Sequence, residues 1–130
     1  MKSHKSISTL LVITTLLFSI LTCYGQDDSS DLLVGKWTKL TQERTVTMTF
    51  TSDNKFEVEF AGDDEIDVWG SYVISGTQLT VTDEGGDYSS GETGVYEFKF
   101  GDSSLTLTKV EDPVYGRSML VEGPWSKAKE

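Results

Sequence analysis

The chain has almost none of the side chains that most enzymes rely on. Its single cysteine, Cys23, and its single histidine, His4, both lie near the N-terminus. Beyond residue 25 there is neither a thiol nor an imidazole, which excludes triads of the Ser-His-Asp or Cys-His kind and zinc sites of ordinary type. One cysteine forms no internal disulfide, so the fold must hold by its core alone. Proline occurs only twice. Only one long apolar run exists, Leu10 to Leu21, broken by threonine and serine. Basic residues are scarce, 11 against 21 acidic ones.

What is present first is a targeting segment. Lys2 and Lys5 precede the apolar run, which is short for a bilayer span and gives way at once to polar sequence, so residues 1–25 read as a signal peptide. Gly25 at −1 with Cys23 at −3 marks one cleavage site and releases a soluble chain beginning at Gln26. The alternative lies before Cys23, where Ile20-Leu21-Thr22-Cys23 resembles a loose bacterial lipobox, and lipid on Cys23 would then tether the domain. Either route predicts an extracytoplasmic protein, secreted, periplasmic or lipid-anchored, with no membrane span. Lys2 and Lys5 leave with the leader, so nine basic residues face 21 acidic ones. Such a surface repels nucleic acid and anionic membranes.

The remainder is long enough for one domain. Residues 26–32 read as an acidic, serine-rich linker, 33–126 as the folded domain and 127–130 as a charged tail, with Asp31 to Val34 as a short turn capping one end. Strand signals follow one another with little between them. Thr45-Val46-Thr47-Met48-Thr49-Phe50-Thr51 alternates strictly, and so does Lys55-Phe56-Glu57-Val58-Glu59-Phe60 across the Ser52-Asp53-Asn54 turn. Ile66 to Ser75 reads as a longer strand in which Gly70 marks a bulge or bend. Gln78 to Thr82, Gly94 to Phe100 and Ser104 to Lys109 are the next three strands. The polar, glycine-rich stretch Asp83 to Thr93 is the longest loop. The last strand is placed at Arg117 to about Trp125. With a first strand at Gly35 to Thr41, this makes eight strands in a meander. An open meander leaves two unpaired edges, so the expected fold is all-β, an eight-stranded antiparallel up-and-down barrel.

Gly35-Lys36-Trp37 on the first strand, the meander, Arg117 at the last strand and the closing Gly123-Pro124-Trp125 resemble the lipocalin-like (calycin) barrels of the small secreted bacterial type. The resemblance implies that Trp37 plugs one barrel end and that Arg117 packs across its indole. It also implies a small hydrophobic ligand inside the barrel, bound without catalysis. The inward positions of the alternating runs give the candidate cavity: Met48, Phe50, Phe56, Val58, Phe60, Tyr72, Tyr96 and Phe98. A barrel filled by these groups, acting instead as an extracellular interaction or inhibitor module through loops such as Asp83 to Thr93 and exposed aromatics, is the alternative. Trp69 either stands at such a surface or, as expected, lies under the long loop. Glu57 and Glu59 share one strand face at a spacing compatible with carboxylate-pair chemistry, but they alternate with core residues and are expected in solvent. Asp63, Asp64, Glu65 and Asp67, or Asp83, Glu84 and Asp87, could gather oxygens around Ca²⁺, but neither set matches a dedicated calcium loop. Both are therefore expected as solvated acidic loops, and no metal or other cofactor is expected.

Overall fold

The structure, a computed structural model, describes residues 27–60 and 62–129. The leader at 1–25, the alternative lipidation site Cys23 and Gln26 of the linker lie outside the described residues. A short helix α1 (Asp27–Leu33) leads into strands β1 (Gly35–Leu40), β2 (Thr45–Phe50), β3 (Lys55–Glu59), β4 (Val68–Ser75), β5 (Gln78–Gly85), β6 (Thr93–Phe100) and β7 (Ser104–Glu111). A second helix, α2 (Tyr115–Val121), precedes β8 (Gly123–Lys127). Each strand pairs antiparallel with the next, and β8 pairs back with β1, closing an eight-stranded up-and-down barrel. Closure removes both edges of the meander.

Alternation along each strand sets the inside. In β2 the threonines face out while Val46, Met48 and Phe50 are buried, and Phe56 and Val58 do the same on β3. The ladder between β4 and β5 shifts register between Trp69 and Gly70, the bulge that the mid-strand glycine predicted. Trp69 lies outside, with its ring across Gly85 on the facing strand, where a Cβ would stand 2.5 Å from the indole. The aromatic thus covers a backbone stretch with no side chain of its own.

Several expectations change. The acidic linker at 26–32 is mostly helix: α1 begins at Asp27, and Leu33 at its end is fully buried beneath the barrel. The fourth strand begins at Val68, not Ile66, because the Asp67 carboxylate takes the Phe60 amide (2.7 Å) and ends the ladder there. The largest change concerns Arg117. Residues 115–121 are helical, so Arg117 sits on α2 and the last strand starts only at Gly123. The reason lies in the spacing of the buried and half-buried positions Val114, Arg117, Ser118 and Val121, three and four residues apart, which is a helix period.

The cation over Trp37 is Lys127, its ammonium 4.6 Å from the ring centre. The Trp37 indole N–H donates to Leu33 O (2.9 Å), and Lys127 Nζ donates to Val34 O (3.1 Å), so both groups satisfy carbonyls left open at the end of α1. The other seam strand repeats this arrangement. Trp125 N–H donates to Val121 O (2.9 Å), and Lys39 sits 4.7 Å over the Trp125 ring and donates to Leu120 O and Glu122 O. Gly35-Lys36-Trp37-Thr38-Lys39 and Gly123-Pro124-Trp125-Ser126-Lys127 are therefore two copies of one device. Each is a helix, a glycine at positive φ (134° and 112°), an inward tryptophan and a lysine that crosses to the other copy's indole. Thr38 pairs with Ser126 at the centre of this crossed exchange.

Candidate functional site

The two barrel ends differ. At the α1 end, Leu33, Trp37, Phe98, Phe100 and Leu105 fill the interior, with Trp37 and Phe100 at 6.2 Å and Phe98 and Phe100 at 5.5 Å between ring centres. Toward α2 the barrel stays open around a cavity of about 540 Å³, within the range of small-molecule pockets. Phe50, Phe56, Leu79 and Leu107 form its deep part. Val46, Met48, Val58, Val68 and Val81 form the wall. Thr41, Glu43, Arg44, Phe60 and Tyr88 stand at the mouth, and Val114 just before α2 roofs it together with Arg117, Leu120 and Val121 of that helix.

Of the residues expected to line a cavity, Met48, Phe50, Phe56, Val58 and Phe60 do so. Tyr72, Tyr96 and Phe98 are buried but do not. The Tyr72 ring meets Phe50 edge-on at 5.1 Å and its hydroxyl donates to Thr51 O (2.7 Å), which turns it into the packed end. The Tyr96 hydroxyl donates to the Asp112 carboxylate, and Phe98 packs on Phe100. At the mouth, Tyr88 meets Phe60 edge-on at 5.2 Å, while the Arg44 guanidinium lies 5.1 Å over the other part of that aromatic pair, Phe60.

One polar network is built into the wall. Asp83, at the inward end of β5, is 5% exposed. Its Oδ2 accepts from the Ser90 amide (3.1 Å) and hydroxyl (2.9 Å), and Arg117 Nη1 lies 3.1 Å away. Arg117 also grips Asp112 with two parallel bonds, Nε to Oδ2 and Nη2 to Oδ1, each 2.7 Å, and donates to Glu92 O (2.8 Å). The Asp112 side chain is fully buried. This is the contact Arg117 makes instead of one with Trp37. Asp112 is five residues away, and a fork-on-carboxylate pair satisfies a guanidinium better than an indole face does. The network fastens α2, the 86–92 connection and β5 together over the cavity.

Asp112, Arg117 and Tyr96 shift one another's titration. Burial alone would raise the Asp112 pKa, but hydrogen bonds from Arg117, Tyr96 and the Val114 amide, with the Arg117 charge, hold it below the usual carboxylate value. Burial alone would lower Arg117, yet Asp112 and Asp83 outweigh it and keep the guanidinium charged. Burial and the bond to Asp112 push the Tyr96 phenol well above its ordinary value, so it stays protonated. At the far end of α2, burial lowers Lys39, partly offset by Glu122.

Gly94 makes room for the ion pair. A Cβ there would stand 2.6 Å from Asp112 Oδ2 and 2.9 Å from Arg117 Nη2. Both atoms are locked in the pair, so neither can swing aside. Gly94→Ala is expected to cost about 1–3 kcal/mol, as other overpacked sites do. Urea denaturation checks this, and a cost near zero would show that the network is loose.

The carboxylates considered for catalysis face away. Glu57 and Glu59 lie on the outer side of β3 opposite Thr49 and Thr47, and Glu59 accepts the Asp64 amide (2.8 Å). Among the described residues no cluster of three or more His, Cys, Asp or Glu side chains is placed to hold a metal ion, and no helix is long and apolar enough to cross a membrane. Sequence reading missed Asp83, Asp112 and Arg117 as a unit. The available signal was Asp112-Pro113-Val114, a helix-opening turn in which Asp112 Oδ1 takes the Val114 amide (2.9 Å). The chain matches no protein-family model, no curated protein and no solved structure.

Proposed function

We propose that the protein is an extracytoplasmic, lipocalin-like barrel that binds one small, largely apolar molecule in its interior and performs no reaction on it. The observation that carries this reading is the cavity of about 540 Å³ beneath α2, walled almost wholly by aliphatic and aromatic side chains. A barrel of eight strands leaves room for one such ligand when its side chains do not fill it. Here Trp37, Phe98, Phe100 and Leu105 fill the α1 end, and the valines of β2 to β5 help to leave the other half hollow. The aromatic mouth formed by Phe60 and Tyr88 suits passage of an apolar body.

Native mass spectrometry of protein from its own host tests this. A co-purifying small molecule, or displacement of an environment-sensitive apolar dye with a stoichiometry near one, is the expected result. A clean apo mass together with no dye binding would overturn the reading. The alternative, an interaction or inhibitor module, draws on Tyr88, Tyr115 and Met119, which are exposed beside the mouth. A partner that binds equally well when dye occupies the cavity would favour it.

A further inference from the structure

We infer that the cavity selects an apolar molecule bearing a protonated amine, which the Asp83 carboxylate receives. This rests on the reading of the cavity as a ligand site and adds the chemical class of the ligand.

Among the described residues, four side chains with a formal charge line the cavity, Glu43 and Arg44 at its mouth and Asp83 and Arg117 buried in its wall. Arg117 has little left to offer. Its Nε and Nη2 are taken by Asp112, and its Nη1 by Glu92 O and Asp83. Asp83 is different. Its three partners among the described residues, the Ser90 amide, the Ser90 hydroxyl and Arg117, converge on Oδ2. Among the described residues no donor reaches Oδ1, although the side chain is only 4% exposed. A carboxylate oxygen so buried needs a donor.

Charge favours a cationic donor. Asp83 and Asp112 share one guanidinium, so the network carries one surplus negative charge next to a space of low polarity. The Tyr96 phenol, protonated, does not alter that count. At the rim Glu43 and Arg44 carry opposite formal charges. The whole chain is also anionic, with a formal charge of −10, which draws cations toward the mouth. A carboxylate ligand would meet the Asp83 charge and find Arg117 already committed. An ammonium would complete Asp83 with a charge-assisted hydrogen bond while its apolar body lies along Val58, Val68 and Val81.

The test compares three molecules of equal chain length, n-decylamine, 1-decanol and decanoate, by dye displacement at pH 7 and low salt. Decylamine is expected to bind at least about tenfold more tightly than either of the others. Asp83→Asn, which keeps the shape and the Arg117–Asp112 pair, should erase that preference by weakening decylamine. Decanoate binding as tightly as decylamine to the native protein overturns the inference, as does a folded Asp83→Asn variant that keeps the preference. If Asp83→Asn does not fold, the ranking on the native protein decides. Binding of decanol without any preference for the amine sinks only the charge assignment. Failure of all three to bind removes the cavity reading with it.

Discussion

Replacing Arg117 with leucine should destabilise the protein by about 3–5 kcal/mol, the cost of removing one partner from a buried ion pair. The Asp112 side chain has no exposure at all and would lose two of its hydrogen bonds at once. Asp83 would lose its counter-ion but keep Ser90. Leucine fills part of the space, so the loss is one of charge compensation more than of volume. The effect should depend on pH. The folded-state pKa of Asp112 is lowered, so its contribution is present above the unfolded value, about 3.9, and is lost as pH falls through the folded value. In Arg117→Leu the uncompensated carboxylate relaxes by taking a proton, so the gap between variant and native protein should narrow in acid. Urea denaturation at neutral pH and below about pH 4 measures both. A neutral-pH cost under about 1 kcal/mol, or a gap that does not change with pH, would show that the pair does not compensate Asp112 as described.

Trp37→Ala and Trp125→Ala are each expected to cost about 3–5 kcal/mol, as for other buried aromatics. The rings are 3% and 1% exposed. Each truncation removes core volume, frees a helix-terminal carbonyl and leaves a lysine without its aromatic face. Because each tryptophan is covered by the other copy's lysine, the two losses should not simply add. Thermal or urea melts of both single variants and the double variant supply the cycle. A cost under about 1 kcal/mol at Trp37 would mean that the ring is not the plug it is taken for. Strict additivity would mean that the two halves of the seam act independently.

The barrel was legible because β2 and β3 alternate without a break and because two loose edges demand closure. The hollow half was partly legible. Alternation told which residues point inward, Met48 or Phe60 as much as Tyr72 or Phe98, but not how the inward set divides between a packed end and an open one. That division depends on partners far away in sequence: Thr51 O takes the Tyr72 hydroxyl into the packed end, whereas Asp112 takes the Tyr96 hydroxyl into the ion-pair network over the cavity. Arg117 was misplaced for a related reason. The run Ser118-Met119-Leu120-Val121 has enough β-branched and apolar character to extend a strand, and the helix is fixed by what its ends bind: Asp112 at one, Lys39 and Trp125 at the other. The repeat itself stands in the sequence as Gly-x-Trp-Thr-Lys and Gly-x-Trp-Ser-Lys. Only the pairing of β1 with β8 makes it meaningful, by placing each lysine over the other copy's indole.

That crossed seam also bears on how the barrel forms. Every other strand pair joins neighbours in sequence and closes a short loop, whereas β1 must wait for β8 while six strands lie between them. The entropy of closing so long a loop comes before any of the seam's contacts form. The meander from β2 to β7 can therefore assemble early, with the tryptophan–lysine exchange as the final latch. Substitutions at Lys39 or Lys127 should then appear chiefly in the unfolding rate and leave the folding rate nearly untouched.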